Sequence, residues 1–262
     1  MNDREVGRCW DENAEVWTRL SRAGYDIYRD FLNTPAFLAM LPDVQGLRGL
    51  DLGCGEGHNT RLLAKLGARM TGLDIAPTFI RHAREAEELD PLGITYVEGS
   101  ALTLPFAQGS FDFVVAFMSL MDMPEVERVV AEVHRVLVPA GFFQFSITHP
   151  FLDVPHRRNL RGQDGRTYAY EVGGYFQELR GNVEEWTFSA APPEVRGAVR
   201  KFKVPRFTRP LSKWINLLIE GGFIVERLSE PCPREEDVGA CPHIQDAQVV
   251  PYFFHVRVRK PA

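Results

Sequence analysis

The sequence predicts an α/β protein with a doubly wound parallel sheet, and three observations lead to this fold class. Short apolar strands alternate with amphipathic helical segments between residues 46 and 148. The first of these strands runs directly into a glycine-rich turn. With 262 residues, of which 45% are hydrophobic, the chain can bury the core of one elaborated domain. Ligands of such sheets bind beyond the carboxyl ends of the strands.

Hydrophobic periodicity predicts the elements in chain order. Apolar residues at helical spacing around Trp10 and Trp17 predict a first helix, and Asn33-Thr34-Pro35 introduces a second. The alternating region is expected to contain strands at 48–52, 69–74, 94–98, 111–117 and 141–148, and helices at 57–66, 77–89 and 124–137. Two closing strands are expected at 223–228 and 252–259.

The turn after the first strand carries the strongest functional signal. Gly53, Gly55 and Gly57 alternate there, directly after Leu50-Asp51-Leu52. Glycines at this density let the backbone approach a ligand closely. The spacing differs from the G-x-G-x-x-G pattern of dinucleotide-binding folds, which disfavours a nicotinamide-dependent reductase. A carboxylate at Asp51 suits a ligand with a cationic end.

Four further motifs follow the glycine turn in order. They are Gly72-Leu73-Asp74-Ile75, Glu98-Gly99-Ser100-Ala101 with Leu104-Pro105-Phe106, Ser110-Phe111-Asp112-Phe113-Val114-Val115, and Glu132-Val133-His134-Arg135-Val136-Leu137-Val138-Pro139-Ala140-Gly141. Together the five motifs resemble the class I S-adenosylmethionine-dependent methyltransferases, in particular the small-molecule enzymes of ubiquinone and menaquinone biosynthesis. The resemblance implies a Rossmann-like seven-stranded sheet whose last strand is antiparallel, and S-adenosylmethionine as the cofactor.

The resemblance also implies which residues bind the cofactor. Asp51 would orient the glycine turn and attract the cofactor's ammonium group. The backbone amides of Gly53, Cys54 and Gly55 would face its methionine portion. Phe117, at the end of the fourth strand of the alternating region, would place its backbone beside the sulfonium and the nucleoside.

The nucleoside half of the cofactor would meet the ends of the second and third strands. Asp74 would accept both ribose hydroxyls, although a helix-capping role is the alternative. Ile75 would pack on one face of the adenine. Ser100 and Ala101 would contact the adenine edge through a hydroxyl and a backbone amide. Ser100 is a departure, because the family commonly has an aspartate at this position.

Two candidates concern the methyl acceptor. His149 follows the strand at 141–148 directly, and we expect it to act as the general base. The alternative is that it caps this strand before Pro150. Three methionines flank Asp122, and they either form an apolar wall of the acceptor pocket or belong to ordinary packing. They are Met118, Met121 and Met123. For Asp122 itself we expect a capping role ahead of Pro124 rather than a metal site.

Residues 149–209 are interpreted as an insertion that forms a substrate cap. The insertion contains eleven Lys and Arg residues against seven Asp and Glu residues. This excess suits either an anionic or electron-rich acceptor or the docking of the insertion on an acidic body. Its aromatic residues favour a planar or apolar small molecule. They are Tyr168, Tyr170, Tyr175, Phe176, Trp186 and Phe188. A Gly-Asn turn predicts a hairpin between 176–179 and 183–188.

The remaining expectations concern organisation and partners. Residues 1–45 form a helical cover, residues 46–148 and 210–262 form the cofactor-binding core, and residues 149–209 form the cap. The net charge of −5 and the lack of long apolar runs argue against nucleic acid and membranes as partners, and we expect a cytoplasmic location. Four scattered cysteines predict no metal site. The oligomeric state is left open.

The function predicted from the sequence is methyl transfer from S-adenosylmethionine to an oxygen, nitrogen or carbon nucleophile of a small metabolite by in-line displacement. The alternative is a non-catalytic module that binds S-adenosylmethionine or S-adenosylhomocysteine in a regulatory role. An intact glycine turn and an aromatic cap favour the enzyme.

Overall fold

The computed structural model describes residues 1–262. Its strands are β1 Arg48–Leu52, β2 Arg69–Asp74, β3 Thr95–Glu98, β4 Phe111–Phe117, β5 Leu137–Thr148, β6 His156–Arg161, β7 Thr167–Gly173, β8 Arg180–Trp186, β9 Phe202–Phe207, β10 Ile224–Ser229 and β11 Phe253–Arg259. Seven of these form one sheet in the order β10-β11-β5-β4-β1-β2-β3. Strands β1 to β5 are parallel, whereas β11 is antiparallel to both of its neighbours. The predicted fold class is confirmed.

Helices predicted before residue 140 lie close to their expected positions, and the structure contains eight α-helices in all. They are α1 Asp3–Arg22, α2 Thr34–Met40, α3 His58–Lys65, α4 Pro77–Leu89, α5 Val126–Val136, α6 Pro193–Gly197, α7 Leu211–Glu220 and α8 Glu235–Ala240. Helix α1 begins at a capping box formed by Asn2 and Glu5. A π-helix over Arg29–Asn33 runs directly into α2 and was not predicted. None of the helices is long and apolar enough to cross a membrane.

Side-chain alternation along the strands builds an apolar layer on each face of the sheet. In β4, Val114 and Ala116 contribute to the larger core, which also contains the apolar faces of α5 and α7. Phe113 and Val115 point to the other face and join a second core with residues of α3 and α4. The parallel strands are therefore covered on both sides, as expected for a doubly wound sheet.

The insertion after β5 forms two small antiparallel pairs, β6 with β7 and β8 with β9. The predicted hairpin between 176–179 and 183–188 is wrong. Gly181, with a φ of 91°, lies at a register shift inside β8 and forms a bulge instead of the turn. The partner of β8 is β9, because β9 supplies the buried Phe202 and Val204 that the small core beneath this pair requires.

Helix α1 packs against the insertion through an aromatic cluster and a polar clamp. The ring centroid of Trp17 lies 5.5 Å from that of Trp186, 4.9 Å from that of Phe188 and 4.7 Å from that of Phe202. The side-chain amide of the buried Asn13 donates to the Lys203 carbonyl at 2.9 Å and accepts from the Lys203 N–H at 2.9 Å. Asn13 thus pairs with the N–H and the carbonyl of Lys203 on the free edge of β9, as a residue of a neighbouring strand would.

Phe202→Ala tests whether this cluster holds the cover together. Because Phe202 is 1% exposed, we expect the change to lower the free energy of unfolding by about 3–5 kcal/mol, the usual cost of emptying a buried phenylalanine site. Urea denaturation measures the difference. Leu89→Ala is the control, because Leu89 is 88% exposed and its removal should change stability by less than about 0.5 kcal/mol. Equal effects of the two changes would contradict the assigned packing.

Candidate active site

A cavity of about 350 Å³ opens at the carboxyl ends of β1, β2 and β4. The glycine turn and the segments after β2, β3 and β4 form its floor, and α1, the π-helix and the insertion form its walls. Two zones can be distinguished by their lining. One is polar and includes Asp51, Glu56 and Asp74, and the other includes three methionines and Trp186.

The glycine turn is held by its own amides. Gly53 N–H and Cys54 N–H both donate to the Leu73 carbonyl, at 2.8 and 3.1 Å, and Gly55 N–H donates to Asp74 Oδ2 at 2.8 Å. The expectation that these three amides face the ligand is therefore wrong, because β2 already uses them. The Gly53 carbonyl, in contrast, accepts no hydrogen bond. The turn offers a free acceptor, which suits a cation.

Two glycines of the turn are required for different reasons. A Cβ on Gly53, whose φ is 68°, would lie 2.5 Å from Cβ of Ser119. A Cβ on Gly55, whose φ is 55°, would meet no protein atom within 4 Å. The absence of a Cβ at Gly53 thus allows Ser119, in the loop after β4, to contact the turn. At Gly55 no protein atom occupies the position that a Cβ would take. Both conformations are strained for residues other than glycine.

Asp51 is a buried carboxylate with one unused oxygen. Its Oδ2 accepts from Thr60 Oγ1 at 2.6 Å, whereas Oδ1 has no hydrogen-bond partner. Burial raises the pKa of Asp51 to about 7. A buried acceptor without a partner is costly, so the site favours a ligand that brings a positive charge and hydrogen-bond donors.

Asp74 makes the helix-capping contact that the sequence gave as the alternative, and it keeps lone pairs for a ligand. Its Oδ1 accepts from Ala76 N–H at 2.9 Å at the start of α4, and its Oδ2 accepts from Gly55 N–H. Burial raises the pKa of Asp74 to about 6. Each oxygen keeps a second lone pair for a ligand hydroxyl. Ile75 lines the cavity next to it.

Ser100 does not line the cavity, although its neighbours Gly99 and Ala101 do. The Ser100 hydroxyl donates to Asp3 Oδ2 at 2.6 Å and accepts from Leu102 N–H at 3.0 Å. Asp3, from the first turn of α1, does line the cavity. A carboxylate from α1 therefore lies at the end of β3, where the family commonly has an aspartate, and no local motif reveals this contact.

Arg29 is a second cavity residue that the sequence analysis missed. It belongs to the π-helix, its side chain is 13% exposed, and its Nε lies 2.7 Å from Asp30 Oδ1. Its guanidinium also donates to Ser21. Arg29 lines the cavity, and its charge acts on His58, which directly follows the glycine turn. Periodicity analysis has no signal for a π-helix, so its side chains could not be assigned to the site.

His149 is outside the cavity lining. Its Nδ1 accepts from Phe151 N–H at 3.1 Å, so the proton is on Nε2, which donates to Glu230 Oε1 at 2.9 Å. Burial lowers the pKa of His149. Both ring nitrogens are thus engaged, and the contacts match the alternative role, in which the histidine caps the end of β5. Its assignment as the general base finds no support in this geometry.

The other zone of the cavity comes from the loop after β4 and from the insertion. Met118, Met121 and Met123 line the cavity there, and Phe117, at the end of β4, lines the cavity as well. Of the six aromatic residues of the insertion that suggested a pocket wall, Trp186 alone lines the cavity. Phe188 is buried in the small core with Trp17, whereas Tyr168 and Phe176 are exposed.

The chain is similar to known methyltransferases in sequence and in structure. A family model described as a methyltransferase domain matches residues 50–145. The solved structure of an S-adenosylmethionine-dependent methyltransferase from Mesorhizobium loti is 31% identical, with a TM-score of 0.71, over 86% of this chain and 96% of that one. The chain belongs to the S-adenosylmethionine-dependent methyltransferase family. The resemblance inferred from the five motifs is confirmed.

Curated relatives of this methyltransferase family match shorter segments. The fatty-acid O-methyltransferase of Mycolicibacterium smegmatis is 36% identical over 168 residues, which are 61% of each chain. The demethylmenaquinone methyltransferase of Thermus thermophilus is 35% identical over 96 residues, which are 36% of this chain and 44% of that one. The chain thus spans about half the length of the curated relatives it matches.

The family cofactor, S-adenosylmethionine, fits the residues present. It carries an ammonium group and a sulfonium, and the cavity offers the unpaired Oδ1 of Asp51 and the free carbonyl of Gly53. It carries a carboxylate, and Arg29 is a cation of the cavity lining. Its nucleoside matches the position of Asp74 and Ile75 beyond the end of β2. No cluster of residues in the structure could hold a metal ion.

The protonation of Asp51 gives a pH-dependent prediction for the cofactor-free protein. Since its folded-state pKa of about 7 exceeds the ordinary value, the folded protein binds more protons than the unfolded chain between about pH 4 and pH 7. The stability associated with this proton is therefore present at low pH and is lost as the pH rises through 7. Asp51→Asn should remove this loss.

Urea denaturation at pH 5 and pH 8 measures the free energy of unfolding of the wild type and of Asp51→Asn. We expect Asp51→Asn to be more stable than the wild type at pH 8, and this difference in stability to be smaller at pH 5. The stability lost by the wild type should be on the order of 1 kcal/mol for each unit by which the pKa of Asp51 is raised. Asp43→Asn, at an exposed turn, is the control and should leave the pH dependence unchanged. A pH-independent difference for Asp51→Asn would show that Asp51 is ionised throughout.

Proposed function

We propose that the protein transfers the methyl group of S-adenosylmethionine to a small, apolar acceptor. The observation that carries this proposal is the division of one continuous cavity into two zones. One zone has an unpaired carboxylate oxygen and a free carbonyl for a cationic cofactor, and the other has three methionines and Trp186 for an apolar acceptor. A site that only sensed the cofactor would have no need of the second zone.

The polar zone supplies a partner for each group of the cofactor. We assign the ammonium group to Asp51 and to the Gly53 carbonyl, and the carboxylate to Arg29. We assign the ribose hydroxyls to the remaining lone pairs of Asp74, and the adenine faces to Ile75. The bound cofactor supplies a methyl group activated by its sulfonium.

The chain itself contributes alignment and the exclusion of water. Since the methyl group is already activated, holding the nucleophile in line with it removes much of the barrier, on the order of 7–11 kcal/mol in favourable cases. Helix α1 and the insertion form the walls that would exclude water. We retain the division into a cover at 1–45, a core at 46–148 and 210–262, and a cap at 149–209 as part of this proposal.

The acceptor is proposed to be a small molecule, and its zone favours an apolar one. Thioether and indole groups in its lining adapt to flat or flexible acceptors. Relatives are named for fatty acids and for demethylmenaquinone, so the family includes members with apolar acceptors. The competing function is a non-catalytic cofactor-binding module. Formation of S-adenosylhomocysteine in the presence of an acceptor panel distinguishes the two.

Asp74→Ala tests the cofactor assignment. Removing a carboxylate that accepts two ribose hydroxyls should weaken S-adenosylhomocysteine binding at least about tenfold, because a hydrogen bond to a charged group contributes roughly 1.5–3 kcal/mol. Isothermal titration calorimetry measures the affinity, with NAD as the comparison ligand. Asp43→Ala is the matched control, since Asp43 is exposed and remote from the cavity. Unchanged affinity in Asp74→Ala, or tighter binding of NAD, would refute the assignment.

Asp3 is proposed to take the place of the family's aspartate at the adenine edge. The Ser100 hydroxyl is occupied by Asp3 and by Leu102 N–H, which leaves Asp3 as the acceptor available to the adenine amine. Asp3→Ser should therefore weaken S-adenosylhomocysteine binding about tenfold. Adding Ser100→Asp to that variant should restore most of the affinity, because the carboxylate then returns to β3. Failure of the second change to restore binding would assign Asp3 to helix capping alone.

A further inference from the structure

Asp122 is a buried carboxyl group for which the fold provides no partner. It ends a short 3₁₀ turn in the loop between β4 and α5, it is 7% exposed, and it lines the cavity. Its side chain makes no hydrogen bond, and α5 begins at Val126 without a side-chain cap. The capping role predicted from the sequence is therefore wrong, and the structure gives Asp122 no other task.

The charges around Asp122 leave it without a countercharge. Arg206 in β9 is bonded to Asp153 and lies 3.1 Å from Glu184. Arg157 in β6 lies 3.5 Å from Glu184 and donates to the Leu152 carbonyl at 3.0 Å. Both cations of this zone are thus paired with insertion residues, and the interpretation that the basic insertion attracts an anionic acceptor loses its basis here.

Burial and the charge of Asp153 both raise the pKa of Asp122, and Arg206 lowers it only in part. The charged groups that act on Asp122 are therefore Asp153 and Arg206, and Arg157 and Glu184 line the same cavity. Three carboxylates share this zone with two guanidinium groups. A ligand that donates hydrogen bonds or carries positive charge is favoured, and a carboxylate is opposed.

The loop that carries Asp122 rests on the glycine turn. Ser119 Oγ donates to the Leu52 carbonyl at 2.5 Å, and a Cβ on Gly53 would lie 3.6 Å from Cε of Met123. Asp122 lies between Met121 and Met123, which line the apolar zone. The carboxyl group is thus placed in the acceptor zone, on a loop that contacts the turn assigned to the cofactor.

We propose that Asp122 binds the N–H or O–H group of the methyl acceptor and accepts its proton, and that the acceptor presents an amine or hydroxyl, not a carboxylate, at this point. The inference rests on the proposed methyl transfer. In the step, a bond forms between the acceptor heteroatom and the methyl carbon, and the bond from that carbon to sulfur breaks with its electron pair going to sulfur. The proton leaves the heteroatom for a carboxylate oxygen of Asp122.

Three probes of equal length test the recognition: octylamine, octanol and octanoate, titrated by calorimetry into protein saturated with S-adenosylhomocysteine. Saturation is measured first, so a failure of cofactor binding is seen separately from a failure of this proposal. We expect wild-type protein at pH 8 to bind octylamine at least tenfold more tightly than octanoate. Equal affinities, tighter binding of octanoate, or no binding of any probe would overturn the proposal.

Asp122→Asn is the isosteric variant, and Asp122→Ser removes the carboxyl with a smaller side chain if the first folds poorly. Each should keep its affinity for S-adenosylhomocysteine and lose the preference for octylamine. In the wild type the preference should grow with rising pH as Asp122 ionises, and in the variants it should stay flat. Asp164→Asn, at an exposed turn of the insertion, is the control and should behave as the wild type. A preference that persists in both Asp122 variants would assign the recognition to other residues.

Discussion

The hydrogen bonds that fasten the glycine turn to the end of β2 are the constraint on which the rest of the site depends. Two amides of the turn donate to the Leu73 carbonyl, and a third donates to Asp74. These bonds direct the Gly53 carbonyl away from protein partners and hold Asp51 and Asp74 as buried carboxylates at adjacent strand ends. The donors of the turn are thus used within the protein, while the Gly53 carbonyl and Asp51 Oδ1 remain without a partner.

A cover made from distant parts of the chain encloses this floor. Trp17 packs against three aromatic residues of the insertion, and Asn13 satisfies the edge of β9. The same helix carries Asp3 to the end of β3. Helix α1 therefore has one side that packs on the insertion and one that lines the cavity, so its packing also determines which polar groups reach the cavity.

Much of the fold was predictable because it rests on local periodicity. Every strand and helix of the alternating region was predicted within a few residues. The five sequence motifs also indicated the methyltransferase family. Prediction failed where a segment's partner lies far along the chain. The pairing of β8 with β9 and the π-helix before α2 depend on tertiary packing, which periodicity does not describe. His149 illustrates the same limit, because Glu230, its partner, is distant in sequence.

The sequence by itself determined the fold class, the family, the cofactor and the positions of Asp51, Gly53 and Asp74, because strand ends and glycine turns are encoded by neighbouring residues. The tertiary structure alone decided which groups face the ligands. It turned the glycine amides inward, brought Asp3 and Arg29 to the cavity, and left Asp122 without a partner. The physical reason is that a side chain's availability depends on whether another group has already satisfied its hydrogen bonds and charge, and those groups come from remote segments.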